Sequence, residues 1–404
     1  MRGSTVRAVN RLTARWAGVL PPGRDTVLSA SGVWPLLAFL ADGAAGPARA
    51  ELEEALGMRA AEAAGAAREL LDGLARIPGA GSAVGLWTRP RVRPYDAWVA
   101  GLPEATLGRL GDDDAENRRL VDTWAAERTG GLIPSMPVEV TKDMDLVLAT
   151  AQAVRTRWLR PFREGGMFPD DGPWAGRELA ALHRTTGLLD RVGVAGTDAG
   201  PLTVLKVLGN TGVDVHLLLG PVEAEPGAVL KAGVDVLTGA FRTVPGDLLP
   251  LGEPGPGLNV RKVRSTSREP YLSVTTSPFS LTAEHDLTAL HELFGLTTAR
   301  DDTRGHFPGI CAHPPLAVRQ ARQAAMARFG AKGFQAAAVT AIGMPGAGVP
   351  RTPYVVRRVD LDVDRPFGFL TVHRTSRLVL AAGWVAEPVP YVFEEERWED
   401  AEES

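Results

Sequence analysis

The sequence predicts an α+β fold in which helices at the N-terminal end pack on large mixed β-sheets. Apolar residues recur at helical spacing through most of the first third of the chain, and from about residue 200 onward short apolar runs bounded by Gly, Pro or charged turns replace them. Nothing Pro/Ser-rich separates the two regions and no repeat is visible in the 404 residues. Residues 1–390 are therefore read as a single domain, followed at 391–404 by an acidic, disordered tail.

In order along the chain, Val6, Val9, Leu12 and Trp16 predict an amphipathic first helix ending near Gly18. Val33, Leu36, Leu37 and Leu40 mark a second, buried helix, and residues 49–56 and 60–77 continue with Leu and Ala at helical intervals. Residues 82–88 (SAVGLWT) read as a buried strand. The helix over 116–128 is signalled at both ends: Asp112, Asp113 and Asp114 favour the positive end of its dipole, and Gly130 and Gly131 follow it. Residues 146–154 (LVLATAQAV) carry no charge, as expected for a strand covered on both faces. Further strands are predicted over 202–208, 213–219, 260–263 and 271–275. A helix is predicted over 284–293, capped by Ser280 or Thr282, and residues 317–328 read as a charged helical stretch. Residues 367–373 and 377–385, joined by Arg374-Thr375-Ser376, form a hairpin.

Composition excludes several functions. Lys and Arg number 44 against 48 Asp and Glu, a net charge of −4, which argues against nucleic-acid partners held by phosphate neutralisation. Much of the acidity is local, since residues 394–404 hold seven carboxylates and one arginine. The single cysteine, Cys311, rules out an internal disulfide framework and a four-cysteine zinc site. No apolar leader core stands at the N-terminus, so a cytoplasmic location is expected, with an extracellular one as the alternative. The uncharged run over 26–40 is too short for a bilayer and contains Pro35, and that over 333–350 is too weakly apolar, so no membrane partner is expected.

Chemistry-bearing constellations are also missing. His285 and His291 are six apart, on different faces of the predicted helix, and His291-Glu292 lacks a second histidine, so no metal and no cofactor are expected. Ser82 lacks the glycine two positions before it that a nucleophile elbow requires. Gly255 and Gly257 sit among prolines as a turn. Cys311, near His313, reads as a small buried apolar residue, and Arg261-Lys262-Val263-Arg264 as a solvated strand end. Charges of both signs over 60–77 leave no basic helix face. No nucleophile and base pair is found, and the chain is not read as an enzyme.

The run 333–350 (GFQAAAVTAIGMPGAGVP) has a particular character. Residues 334–342 are small or β-compatible, without Gly or Pro, and can become a strand, while Gly343, Pro345, Gly346, Gly348 and Pro350 keep the remainder open to proteases.

This region resembles the reactive-centre loop of the serpins, and the resemblance extends over most of the chain. Residues 117–133, with Asn117, Trp124, Thr129 and Ile133, are similar to the family's Asn-x-x-x-x-x-Trp-x-x-x-x-Thr-x-Gly-x-Ile pattern with one residue of slack. Residues 148–158, with Pro161 and Phe162, resemble the family strand that ends in a tryptophan turn. Residues 364–370 and 380–388 match the C-terminal signature, and 286–295 fall where the family has a Leu-x-x-Leu-Gly helix. On these residues the chain is identified as similar to a bacterial-type serpin, with an exposed loop over about 333–360.

The resemblance implies a suicide mechanism without a cofactor. A serine protease attacks the loop and forms an acyl-enzyme, and the freed arm inserts into the central sheet as a new strand, distorting the protease. It implies a hinge at Gly333, Phe334, Gln335, Ala336, Ala337, Ala338, Val339 and Thr340, and a breach and shutter at Trp158, Ser29, Thr150 and Gln323. Counting from Gly333 places the scissile bond at Ala347-Gly348, which suits an elastase-like or subtilisin-like protease; Met344 and Arg351 are the alternatives, the latter for a trypsin-like target. A monomer is expected. Alternation on insertion buries Phe334, Ala336, Ala338, Thr340 and Ile342. Phe334 replaces a usual Thr or Ser, Ala331 a usual Glu, and Thr150 and Gln323 a frequent Asn and His. The alternative function is a non-inhibitory serpin-fold binding protein whose loop is cleaved as a substrate.

Overall fold

The computed structural model describes residues 1–104, 106–138, 141, 144–334 and 352–392. Helix α1 (Gly3–Ala17) buries Val9, Leu12 and Trp16. Strand β1 (Thr26–Leu28) leads into α2 (Ala30–Gly43), which is buried over nearly its whole length and is capped by Ser29. Then come α3 (Gly46–Leu56), α4 (Ala60–Ala75), β2 (Ala80–Thr88), α5 (Asp96–Val99) and β3 (Leu107–Arg109). Helix α6 (Asp114–Thr129) starts where the Asp113 carboxylate accepts from the Ala115 and Glu116 amides, and stops at Gly130 in the left-handed conformation. Strand β4 (Leu146–Val154) is buried at every position, and β5 (Thr156–Arg157) continues it.

A β-rich middle follows: β6 (Arg163–Met167), β7 (Leu179–Thr186), β8 (Val192–Thr197), β9 (Gly200–Val207), β10 (Val213–Leu219), α7 (Pro226–Thr238), β11 (Thr243–Pro245), β12 (Leu258–Ser265) and β13 (Tyr271–Thr276). The last elements are β14 (Phe279–Asp286), α8 (His291–Phe294), β15 (Gln320–Phe329), β16 (Gly333–Phe334), β17 (Tyr354–Asp362), β18 (Phe367–His373) and β19 (Leu378–Val385).

Three sheets result, and with the eight α-helices of the described residues they make the fold α+β. One is ordered β1-β19-β18-β10-β9-β8-β11, and a second β12-β17-β13-β7-β6. The central sheet runs β3-β2-β4-β15 and on through β16 to β5, with β14 on the other side of β15. Helix α2 packs between β19 of the first sheet and β2 and β4 of the central one. That burial on all sides explains why its sequence is apolar around its whole circumference. No helix of the described residues is long and apolar enough to cross a membrane.

Two sequence expectations are overturned. The helix predicted over 284–293 is instead the end of strand β14 followed by the short α8. Phe279 and Leu281 are buried and Ser280 and Thr282 exposed, a period of two that the would-be caps disguised. Asp286 accepts from the Thr288 and Ala289 amides and turns the chain out of the strand. The charged stretch over 317–328 is strand β15, not helix. Its Ala, Gln and Arg favour helix locally, but ladders to β4 on one side and β14 on the other outweigh that preference. His285 and His291 consequently lie on different elements, and no metal-binding cluster is found among the described residues.

Candidate functional site

The central sheet forks. Over its lower part β15 runs parallel to β4, from Gln320 opposite Val147 to Ala325 opposite Gln152. At the upper end β16 lies between β15 and β5, antiparallel to both: Phe334 faces Phe329 on one side and Thr156 on the other, and Gly333 faces Arg157. The close approach requires glycine at 333, since a Cβ there would stand 2.3 Å from the Thr156 carbonyl oxygen. Phe334 is 2% exposed, its ring 6.4 Å from that of Phe369.

Trp158 stands at this fork. Its indole Nε1 donates to the Gly330 carbonyl at 2.8 Å, its amide donates to Lys332 at 3.0 Å, and its ring lies 4.9 Å from Phe329. The Phe162 amide donates to Ala331 at 2.8 Å. The 158–162 segment thus straps the 330–332 turn that leads into Gly333. Ala331 is buried in this turn, where a charged side chain would need a partner.

Lower down, Ser29, Thr150 and Gln323 meet. Gln323 is the register partner of Thr150 across the parallel ladder, and its Nε2 donates to Thr150 Oγ1 at 3.2 Å and to the Ser29 carbonyl at 2.8 Å. Gln323 Oε1 accepts from the Ser29 amide at 2.8 Å. The Ser29 hydroxyl lies within hydrogen-bond reach of Gln152 Oε1 and the Leu380 carbonyl, as does that of Ser31 at 2.9 and 3.1 Å, each with one proton to give, and the two hydroxyls stand 3.1 Å apart. The start of α2, strand β19 and the two strands β4 and β15 are thereby tied into one buried polar network.

Sequence reading missed Ser31 and Gln152 in this network. A glutamine inside the fully buried β4 was the available signal, because a buried amide needs partners. Beside this network, His285 Nε2 donates to the Val27 carbonyl at 2.8 Å and its ring meets Trp16 edge-on; burial pulls its pKa down. Cys311 is buried, which pushes its thiol pKa up, the opposite of an activated nucleophile. Gln335, Ala336, Ala337, Ala338, Val339, Thr340, Ile342, Met344, Ala347, Gly348 and Arg351 lie outside the described residues, as does the chain from residue 393 onward.

The motif residues have structural tasks. Asn117 clasps Gly111 through both backbone groups, at 2.7 and 2.9 Å. Trp124 packs edge-on against Trp87 of β2 at 4.9 Å, so α6 is fixed to the central sheet. Thr129 donates to the Ala125 carbonyl and accepts from the Ile133 amide, closing the helix end.

Comparison with known proteins agrees with this architecture. The family model described as Serpin (serine protease inhibitor) matches residues 8–171 and 258–388. Human plasminogen activator inhibitor 2 is 24% identical over 277 residues, 68% of this chain and 61% of the relative, so the chain spans less than two thirds of that protein's length. Putative serpin-Z6C from Oryza sativa subsp. japonica is 36% identical over 75 residues, 19% of this chain and 18% of the relative. Among solved structures, human thyroxine-binding globulin superposes with a TM-score of 0.72 at 16% identity, covering 96% of this chain and 98% of the other. The thermophilic serpin tengpin in its native state gives a TM-score of 0.72 at 13% identity, covering 96% and 95%. With the family model matched on both sides of the sheet fork and the same fold in these structures, the chain belongs to the serpin (serine protease inhibitor) family.

Proposed function

We propose that this chain is a single-use inhibitor of a serine protease, with residues 1–390 acting as one unit. Cleavage of the 335–351 segment releases its N-terminal arm, which inserts between β4 and β15 before the acyl-enzyme hydrolyses. The observation that carries this reading is β16: in the uncut chain, Gly333 and Phe334 already occupy the first two positions of a strand between β15 and β5. Extending that register pairs residue 340 with Gln323 on one side and Thr150 on the other, and 342 with Ala321. The stretch 334–342, free of charge, Gly and Pro, thus ends where β15 begins at Gln320.

The energetics favour insertion once the loop is cut. Six parallel register pairs between β4 and β15 give way to two antiparallel ladders. At about 1 kcal/mol net per new hydrogen bond the gain is on the order of 10 kcal/mol. Before cleavage the same arm is held at both ends and cannot enter. Gly333–Thr340 serve as hinge, Trp158 with the 330–332 turn as breach, and Ser29, Thr150 and Gln323 as shutter. Cleavage at Ala347-Gly348 suits a protease of elastase or subtilisin type, whose primary pocket accepts a small side chain.

The test is incubation with elastase, subtilisin, chymotrypsin and trypsin, followed by a denaturing gel and the mass of the released peptide. A band that survives denaturation, with a peptide beginning at Gly348, is expected. Cleavage by every protease without a covalent band overturns the inhibitory reading. It would favour the second one, a binding protein cut as a substrate.

A further inference from the structure

A recess of about 130 Å³ opens between β7 and β9, beside the strap that follows Trp158. Its charged lining is entirely cationic: Arg160, Arg184, Arg191 and Lys206. Leu159 and Leu188, 57% and 41% exposed, form an apolar rim. Among the described residues no carboxylate lines the recess, and of the four cations only Arg191 has an acidic partner, Asp190 at 3.3 Å.

Arg184 is the unusual member. It is 8% exposed, its guanidinium lies 4.2 Å over the Phe162 ring, and one Nη donates to the Arg160 carbonyl at 3.1 Å. Among the described residues its Nε has no partner. Burial, and then the like charges of Arg160 and Arg191, pull its pKa down to about 10. A buried charge without a counter-ion and a buried donor without an acceptor are both costly. An oxyanion in the recess would supply the missing counter-charge. Arg160, exposed at the mouth, is anchored by Nη1 donating to Thr186 Oγ1 at 3.1 Å, so its guanidinium is held over the opening.

We infer that this recess binds a small organic oxyanion, a carboxylate or phosphate monoester on a short apolar body. The guanidinium forks and Lys206 take the charged group, and Leu159 and Leu188 take the apolar part. Guanidinium groups suit planar, two-point recognition of such groups better than chloride, which offers a single centre.

Isothermal titration of the full chain at fixed ionic strength tests this, with phenyl phosphate, benzoate and inorganic phosphate as probes and sodium chloride as control. Saturable binding at one site is expected for phenyl phosphate and benzoate, with phenyl phosphate tighter than inorganic phosphate. Arg160→Met and Lys206→Met, at positions where removing a like charge does not harm folding, are each expected to weaken phenyl phosphate at least about tenfold. The inference is overturned by no saturable binding, by affinities unchanged in the double variant, or by equal binding of phenyl phosphate and inorganic phosphate. None of these outcomes depends on whether the chain traps a protease.

Discussion

Gln323 and Ser29, 294 positions apart in the chain, are joined amide to backbone: Gln323 accepts from the Ser29 N–H and donates to the Ser29 carbonyl, both at 2.8 Å. The same Nε2 reaches Thr150 Oγ1 across the ladder that has to part if a strand is to enter. One side chain thus holds β15 to β4 and both to the start of α2.

Gln323→Ala removes this clasp and leaves the Ser29 N–H buried without its partner, while the Ser29 carbonyl keeps the Gly32 and Val33 amides at 3.3 and 3.4 Å. One such orphan costs about 1–3 kcal/mol, and a loss of that size is expected in guanidinium unfolding of the intact protein. Thr150→Val, which loses only one weak bond, should cost about 1 kcal/mol.

The register of β16 places residue 340 between Gln323 and Thr150 when the arm is inserted. Opposite residues in a ladder share a face, so the Thr340 side chain would arrive at the buried clasp. If the uncut loop is exposed as proposed, Thr340→Arg leaves the uncut protein's stability within about 0.5 kcal/mol. It should turn the inhibitor into a substrate, read as loss of the covalent band with cleavage retained.

Strands β6, β7, β8 and β17 and helix α7 were not foreseen, and the elements that were legible in the sequence are those whose patterns are dictated locally. The α6 caps at Asp113 and Gly130, the uncharged β4 and the β18–β19 hairpin are of this kind. Strands β14 and β15 were not, because Ala321, Ala324 and Ala325 prefer helix until β4 is beside them, and that partner lies about 170 residues away. Ser29, Thr150 and Gln323 could be named from family motifs, but Gln152, Ser31 and the Leu380 carbonyl that complete the network depend on which carbonyl faces which hydroxyl. The cationic recess was invisible for the same reason: Arg160, Arg184 and Lys206 are scattered in sequence and converge only when two sheets meet.

Gly333→Val places a side chain where a Cβ already stands 2.3 Å from the Thr156 carbonyl. The expected result is expulsion of β16, with Phe334 exposed, at a cost of about 1–3 kcal/mol. Limited proteolysis near residue 334 should become faster in the variant.

Acid should destabilise the protein through histidines held neutral. Burial, and then Lys206, lower the pKa of His216 to about 4, and burial lowers that of His285. Unfolding returns each to about 6.5, so the unfolded state binds more protons below that pH. Stability is therefore full above about pH 6.5 and falls as the pH drops toward 4, by on the order of 2–3 kcal/mol for His216. Chemical denaturation at pH 7 and pH 4.5 checks this, and His216→Gln should flatten the difference.

The central claim is that the loop arm enters the sheet, and thermal unfolding before and after a single cut in the 335–351 segment tests it most directly. Insertion worth on the order of 10 kcal/mol should raise the midpoint of a chain this size by roughly 10–15 °C or more. An unchanged or lowered midpoint in the cut protein, with both fragments still associated, would contradict insertion and with it the inhibitory mechanism.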